Sequence, residues 1–151
     1  KQKIKWVATN NCFFKKKILD KTNLIFDKNL KNIGGSDQLF FRKLQKKGFS
    51  IMWNLKASVE EYHQIERENF TWFLKRNFRY GCSGLIIDKS IYGKKIGYFM
   101  NIFKSIYFFF LSLINLFFIF RKNNFIKSLF YFIKAIGRLV SIFGYKVIKY
   151  Q

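Results

Sequence analysis

The sequence predicts an α/β segment followed by an all-α pair of membrane-associated helices. Two observations carry this reading. Residues 1–84 hold seven of the eight acidic residues and mix short apolar runs with Gly and Asn turns, as a water-facing α/β segment does. Beyond residue 85 the chain turns helical, aromatic and almost free of acids, and residues 97–120 carry Lys104 as their one charge. That stretch is long enough to cross a hydrocarbon core of roughly 30 Å.

The elements follow in order. Residues 4–8 are apolar and of strand length, and Asn10-Asn11 is suited to cap a helix over 13–19. A turn region runs through Asp27 and Asn32. Gly34-Gly35 then gives the backbone freedom for a tight bend, Ser36 is placed as an N-cap, and 37–47 is expected as a helix closed by Gly48. Leu39, Phe40 and Leu44 form its apolar side. Residues 51–53 and 57–59 read as short strands, with Trp53 in the core. A helix over 67–80 turns Phe70, Phe73, Leu74 and Phe78 inward.

In the second part the polar break Arg121-Lys122-Asn123-Asn124 separates 97–120 from a second apolar helix over 125–145. Lys127, Lys134 and Arg138 share one face of that helix with Ser141. It either spans as the return arm of a hairpin or lies in the interface with its basic stripe toward the headgroups. The hairpin is preferred. It puts Lys94-Lys95 and Lys146/Lys149 on the cytoplasmic side, as the positive-inside rule favours, and leaves Arg121 and Lys122 on the other.

A formal charge of +21 raises nucleic acid or an anionic membrane surface as partner. The Phe residues decide between them: they are massed after residue 98 and not interleaved singly with basic residues as stacking platforms for bases. Membrane lipids are therefore the expected partner, and nucleic acid is not. Cys12 and Cys82 lack ligand spacing and read as free thiols. The chain opens at Lys1, with an apolar run almost at once, so its first residue is expected to be internal to a longer protein.

The chemistry-bearing motif is Gly34-Gly35-Ser36-Asp37. A carboxylate in the first turn of a helix meets free backbone amides and the helix dipole, which keep it ionised and able to accept a proton. Taken alone, such an Asp is more often a capping residue.

Its neighbours add a resemblance. Thr9-Asn10-Asn11-Cys12-Phe13-Phe14-Lys15, Phe26-Asp27, the glycine-acid helix, Ala57-Ser58-Val59-Glu60-Glu61, and Arg67 with Trp72 and Arg76 stand in an order that resembles the acceptor half of family 2 glycosyltransferases. Gly137-Arg138 through Tyr145 and Tyr150 is similar to the tail of some membrane-attached members. The resemblance implies that residues 1–84 are the C-terminal, acceptor-side part of a Rossmann-like A-type glycosyltransferase domain whose nucleotide-binding half is missing. Residues 85–151 would then be the membrane helices.

It further implies an inverting enzyme of the hexosyl-transfer type. A sugar would pass from a nucleotide-sugar donor to a glycan or lipid-linked acceptor, at the cytoplasmic face of the cell membrane, for a cell-surface polysaccharide or lipid glycan. Asp37 would deprotonate the acceptor hydroxyl. Asn10, Asn11, Gly35, Ser36 and Trp72 would bind the acceptor, and Arg67 and Arg76 the leaving diphosphate, although Arg76 and Arg79 suit the membrane surface better.

A divalent metal, Mg or Mn, would be needed in the full-length enzyme, its ligands mainly in the missing half, with the single histidine, His63, an additional ligand candidate. Gln64-Ile65-Glu66-Arg67 matches part of the motif of processive members, but Glu68 stands where Trp belongs, which argues for transfer of one sugar at a time. The fragment alone is expected to be inactive. The competing reading is a non-enzymatic basic membrane-anchored binding protein.

Overall fold

The computed structural model describes residues 2–4, 7–31, 33–62, 65–145 and 147. Expectations resting on Asn32, His63, Gln64, Lys146, Lys149 and Tyr150 lie outside the described residues. Within them the chain forms two strands, β1 (Gln2–Ile4) and β2 (Ile51–Trp53), and five helices. These are α1 (Lys16–Thr22), α2 (Ser36–Lys46), α3 (Phe70–Tyr92), α4 (Lys94–Phe117) and α5 (Asn124–Ile142).

The strands pair antiparallel, Gln2 opposite Trp53, Lys3 opposite Met52 and Ile4 opposite Ile51. This two-stranded ribbon is the whole sheet among the described residues. The fold is predominantly helical, and the expected Rossmann-like A-type domain is not what the chain forms. A Rossmann-like half needs parallel strands joined by helical crossovers. Residues 57–59, expected as a further strand, are exposed and unpaired in any ladder, between the charged Lys56 and Glu60-Glu61. Trp53 is half out in solvent on β2 and not in the core.

The cap, residues 2–62, is organised by α2. Leu39, Phe40, Phe41 and Leu44 are all buried, so one face of this single helix supplies two apolar clusters. Phe40, Phe41 and Leu44 gather Val7, Cys12, Ile18, Leu19, Leu24, Phe49 and Ile51. Phe26 stacks on Phe40 with ring centroids 4.4 Å apart. On the other side Leu39 and Leu30 meet Ile87 and Ile91 of α3, which docks the cap onto the helices that follow. Asp27 starts a 3-10 turn at Lys28–Leu30 by accepting from the Asn29 amide, as the turn expected around it requires.

α1 begins at Lys16 and not at Phe13. Asn10 and Asn11 do not cap it; they lie in a separate 3-10 turn, Thr9–Asn11. α3 starts at Phe70 because the Asn69 side chain caps it, accepting from the Trp72 amide at 2.7 Å. It then runs on past Gly81, where a helix end was expected. The reason is tertiary: a Cβ at Gly81 would meet the Lys134 carbonyl oxygen at 2.4 Å and the Gly137 Cα at 2.9 Å. The missing side chains let α3 and α5 approach backbone to backbone. The compositional boundary near residue 85 therefore falls inside a continuous helix.

α3, α4 and α5 form a three-helix bundle with an unusual distribution of side chains. The buried positions of α4 are Gly97, Asn101, Ser105 and Ser112; those of α5 are Ser128, Ala135, Gly137, Arg138 and Ser141. Asn101, Ser105 and Ser128 bond across the interface: Asn101 donates to the Arg138 carbonyl, Ser105 to the Ala135 carbonyl, and Ser128 to the Ser112 carbonyl, each at 2.9 Å. The apolar side chains, among them Phe99, Phe103, Ile106, Phe110, Leu113 and Phe117, point outward and are exposed. α4 is long and apolar enough to cross a membrane, the one such helix among the described residues.

Candidate functional site

The head of α2 is built by its two glycines. Gly34 and Gly35 hold φ of +88° and +91°, in the left-handed region where a side chain is strained. A Cβ at Gly35 would stand 3.0 Å from Ile87 Cδ1 and 3.4 Å from Ser83 Oγ, and one at Gly34 3.7 Å from Arg79 Nε. The turn is thereby pressed against α3. Gly35 takes the N-cap position without a side-chain bond, so Ser36 is the first helical residue and not the cap expected of it.

Asp37 follows in the first turn, half-buried, and its Oδ1 accepts the Gln38 N–H at 2.7 Å. Among the described residues no cation stands within ion-pair distance of this carboxylate. Its charge is felt nearby: burial raises the Cys12 thiol pKa above its ordinary value, and Asp37 raises it further. Cys12 directly follows the Thr9–Asn11 turn.

Asn10 and Asn11 serve that neighbourhood by holding a loop. Asn10 Nδ2 donates to Glu61 at 2.7 Å and Asn11 Nδ2 to the Ala57 carbonyl at 3.0 Å, which ties the exposed segment after β2 back to the N-terminal turn.

The remaining predicted residues are not assembled with Asp37. Arg67 is exposed in the 3-10 turn Ile65–Arg67 before α3. Trp72 and Arg76 belong to the first half of α3, where the guanidinium lies 4.8 Å from the Trp72 ring and donates to the Tyr80 hydroxyl at 2.9 Å. At about 1.5 Å per residue, Trp72 is roughly 16 Å along the helix from Ser83, where the glycine turn docks. Among the described residues no group of three His, Cys, Asp or Glu stands together.

A second cluster was not anticipated. Asp88 of α3 is fully buried and is met by three cations from three other helices. Arg138 Nη1 lies 3.0 Å from its Oδ2, Lys104 Nζ 2.5 Å from its Oδ1, and Arg42 Nη1 3.8 Å from its Oδ1. Arg138 Nη1 also donates to Asn101 Oδ1 at 2.8 Å. Arg138 therefore leaves the basic stripe expected on α5 and turns inward. One signal in the sequence pointed here: Asp88 is the sole acid after residue 84, and an acid in so apolar a segment demands a partner.

No protein-family model, curated protein or solved structure matches the chain. With the helical architecture, this overturns the resemblance to family 2 glycosyltransferases: an ordered series of short motifs is present in the sequence, but the domain that gives such motifs their meaning is not formed.

Proposed function

We propose that the chain is a membrane-anchored transferase unit whose Asp37 acts as general base on the hydroxyl of a glycan or lipid-linked acceptor. The observation that carries this reading is the Asp37 carboxylate itself. It is half-buried, fixed by the glycine turn against α3, and clear of the cations that occupy Asp88. Such a group accepts a proton from an acceptor hydroxyl, and the oxygen so freed attacks the anomeric carbon of a nucleotide-activated sugar with inversion. The donor, with any divalent metal it needs, is held outside the described residues. Arg67 lies in the turn before α3 and Arg76 in its second turn, and neither is assembled with Asp37, so the leaving diphosphate has no cation assigned to it here.

Membrane attachment through α4, with α5 as the return arm, is supported by the arrangement of the bundle. Small and polar residues face inward and Phe and Ile face outward, as suits helices surrounded by lipid. The cap sits on the cytoplasmic side of the cell membrane in this reading, next to Lys94 and Lys95.

A second reading, a non-enzymatic basic membrane-anchored binding protein, is favoured by one contact pair: the Asn10 and Asn11 amides are engaged with Glu61 and Ala57 and not open to an acceptor. Transfer by the full-length protein in native membranes, with a panel of nucleotide sugars, separates the two. Asp37→Asn is expected to lower turnover by on the order of 100-fold or more while donor binding persists. Near-normal turnover in that variant removes Asp37 from the mechanism. Absence of transfer by the wild type, with binding to anionic vesicles intact in both proteins, selects the second reading.

A further inference from the structure

The cluster at Asp88 carries more positive charge than it neutralises. Three cations, Arg42, Lys104 and Arg138, surround one carboxylate, which leaves a surplus of two positive charges. Part of this surplus is far from water: the Arg138 side chain is 9% exposed, and its Nε is buried without a hydrogen-bond partner. Unbalanced charge in such a place is costly and is relieved by a second anion.

The cluster is closed on one side and open on the other. Gly84 forms the closed side, where a Cβ would stand 2.7 Å from the Arg138 guanidinium carbon, so that any larger residue would displace the guanidinium. The open side is the border between the cap and the bundle, where the Arg42 side chain is 34% and that of Lys104 22% exposed. Arg42 is only loosely paired, at 3.8 Å from Asp88, so its planar fork of donors is available to another acceptor.

We infer that Arg42 and Lys104 form a site for a phosphate-bearing anion at this border, with Asp88 and Arg138 positioning them. Arg42 supplies bidentate donors to phosphate oxygens, and Lys104 supplies a point charge from the α4 side. The chemistry is that of a phosphate group, borne either by an anionic lipid headgroup or by a free phosphate or diphosphate. Asp37 is not a partner in this cluster, and the site does not depend on sugar transfer.

The test uses the full chain in neutral detergent or in phosphatidylcholine nanodiscs. Two probes distinguish the sources: phosphatidic acid, followed by retained lipid in native mass spectrometry, and pyrophosphate, followed by titration calorimetry. At least one is expected to bind the wild type, and Arg42→Gln and Lys104→Gln each to weaken it by about tenfold or more, as loss of a charged hydrogen bond does. Lys16→Gln and Lys17→Gln, exposed on α1, remove the same charge elsewhere and are expected to stay within about twofold. Arg42→Gln, at the more exposed of the two positions, keeps the test decisive where Lys104→Gln fails to fold. Asp37→Asn is expected to bind as the wild type does, so loss of transfer and loss of anion binding are read separately. Binding of neither probe overturns the inference, as does equal weakening by the α1 variants.

Discussion

The cap and the bundle sort the same kinds of residue in opposite directions. In the cap, α2 buries Leu39, Phe40, Phe41 and Leu44, while Lys46 and Lys47 at its end are exposed. In the bundle, α4 and α5 bury serine, glycine, asparagine and arginine and expose phenylalanine and isoleucine. Asp37 and Asp88 follow the same division. Asp37 sits half-buried at a helix start with a backbone amide for company; Asp88 is fully buried among three cations. Among the described residues no cation reaches the first at ion-pair distance. The second, ringed by cations, holds helices together.

This contrast can be broken most directly at Asp88. Asp88→Asn leaves Lys104 and Arg138 without their counter-charge, and the expected loss is about 3–5 kcal/mol. Thermal or denaturant unfolding in detergent reads it; a loss below about 1 kcal/mol would mean that the cluster does not hold the bundle. Gly137→Ala comes next, because a Cβ there would meet the Phe78 carbonyl oxygen at 2.3 Å. Forcing α3 and α5 apart is expected to cost about 1–3 kcal/mol, and an unchanged melting curve would contradict the backbone-to-backbone packing.

A smaller effect concerns Cys82, whose thiol burial pushes up from 9.0 to about 11. The folded state then keeps a proton that the unfolded state releases. The associated stability is present below pH 9 and is lost as pH rises toward 11, with a slope of on the order of 1 kcal/mol per pH unit. Cys82→Ser removes this component, so the difference between the two unfolding curves should shrink across that window; a constant difference would contradict it. Asp37→Asn sharpens the contrast from the other side. It retains an acceptor for the Gln38 amide and gives up only a charge near the helix start, so its stability should fall by less than about 1 kcal/mol. A cost comparable to that of Asp88→Asn would make Asp37 a structural residue.

Much of the helical layout was legible locally. The glycine turn, the apolar side of α2 and the polar break at 121–124 each announce themselves through residues close in sequence, and the corresponding helices lie within a few residues of expectation. Other elements depend on partners distant in sequence. Residues 57–59 have strand composition but no partner edge, and Gly81 looks like a helix end until Gly137 is set against it. The resemblance to glycosyltransferases failed in the same way: its motifs are local, whereas a Rossmann-like sheet is a set of pairings between distant strands.

The amino-acid order by itself determined that α2 and the two apolar segments are helical, where the chain bends at Gly34-Gly35, and that α4 is long and apolar enough for a membrane, because each depends on spacing within a few turns. Tertiary structure alone decided that Arg42, Lys104 and Arg138 converge on Asp88 and that Asp37 is left clear of them. Arg138 is 50 residues from Asp88, and no local pattern selects among so many lysines and arginines. Only the packing of four helices, governed by the cost of burying a charge without its partner, selects those three.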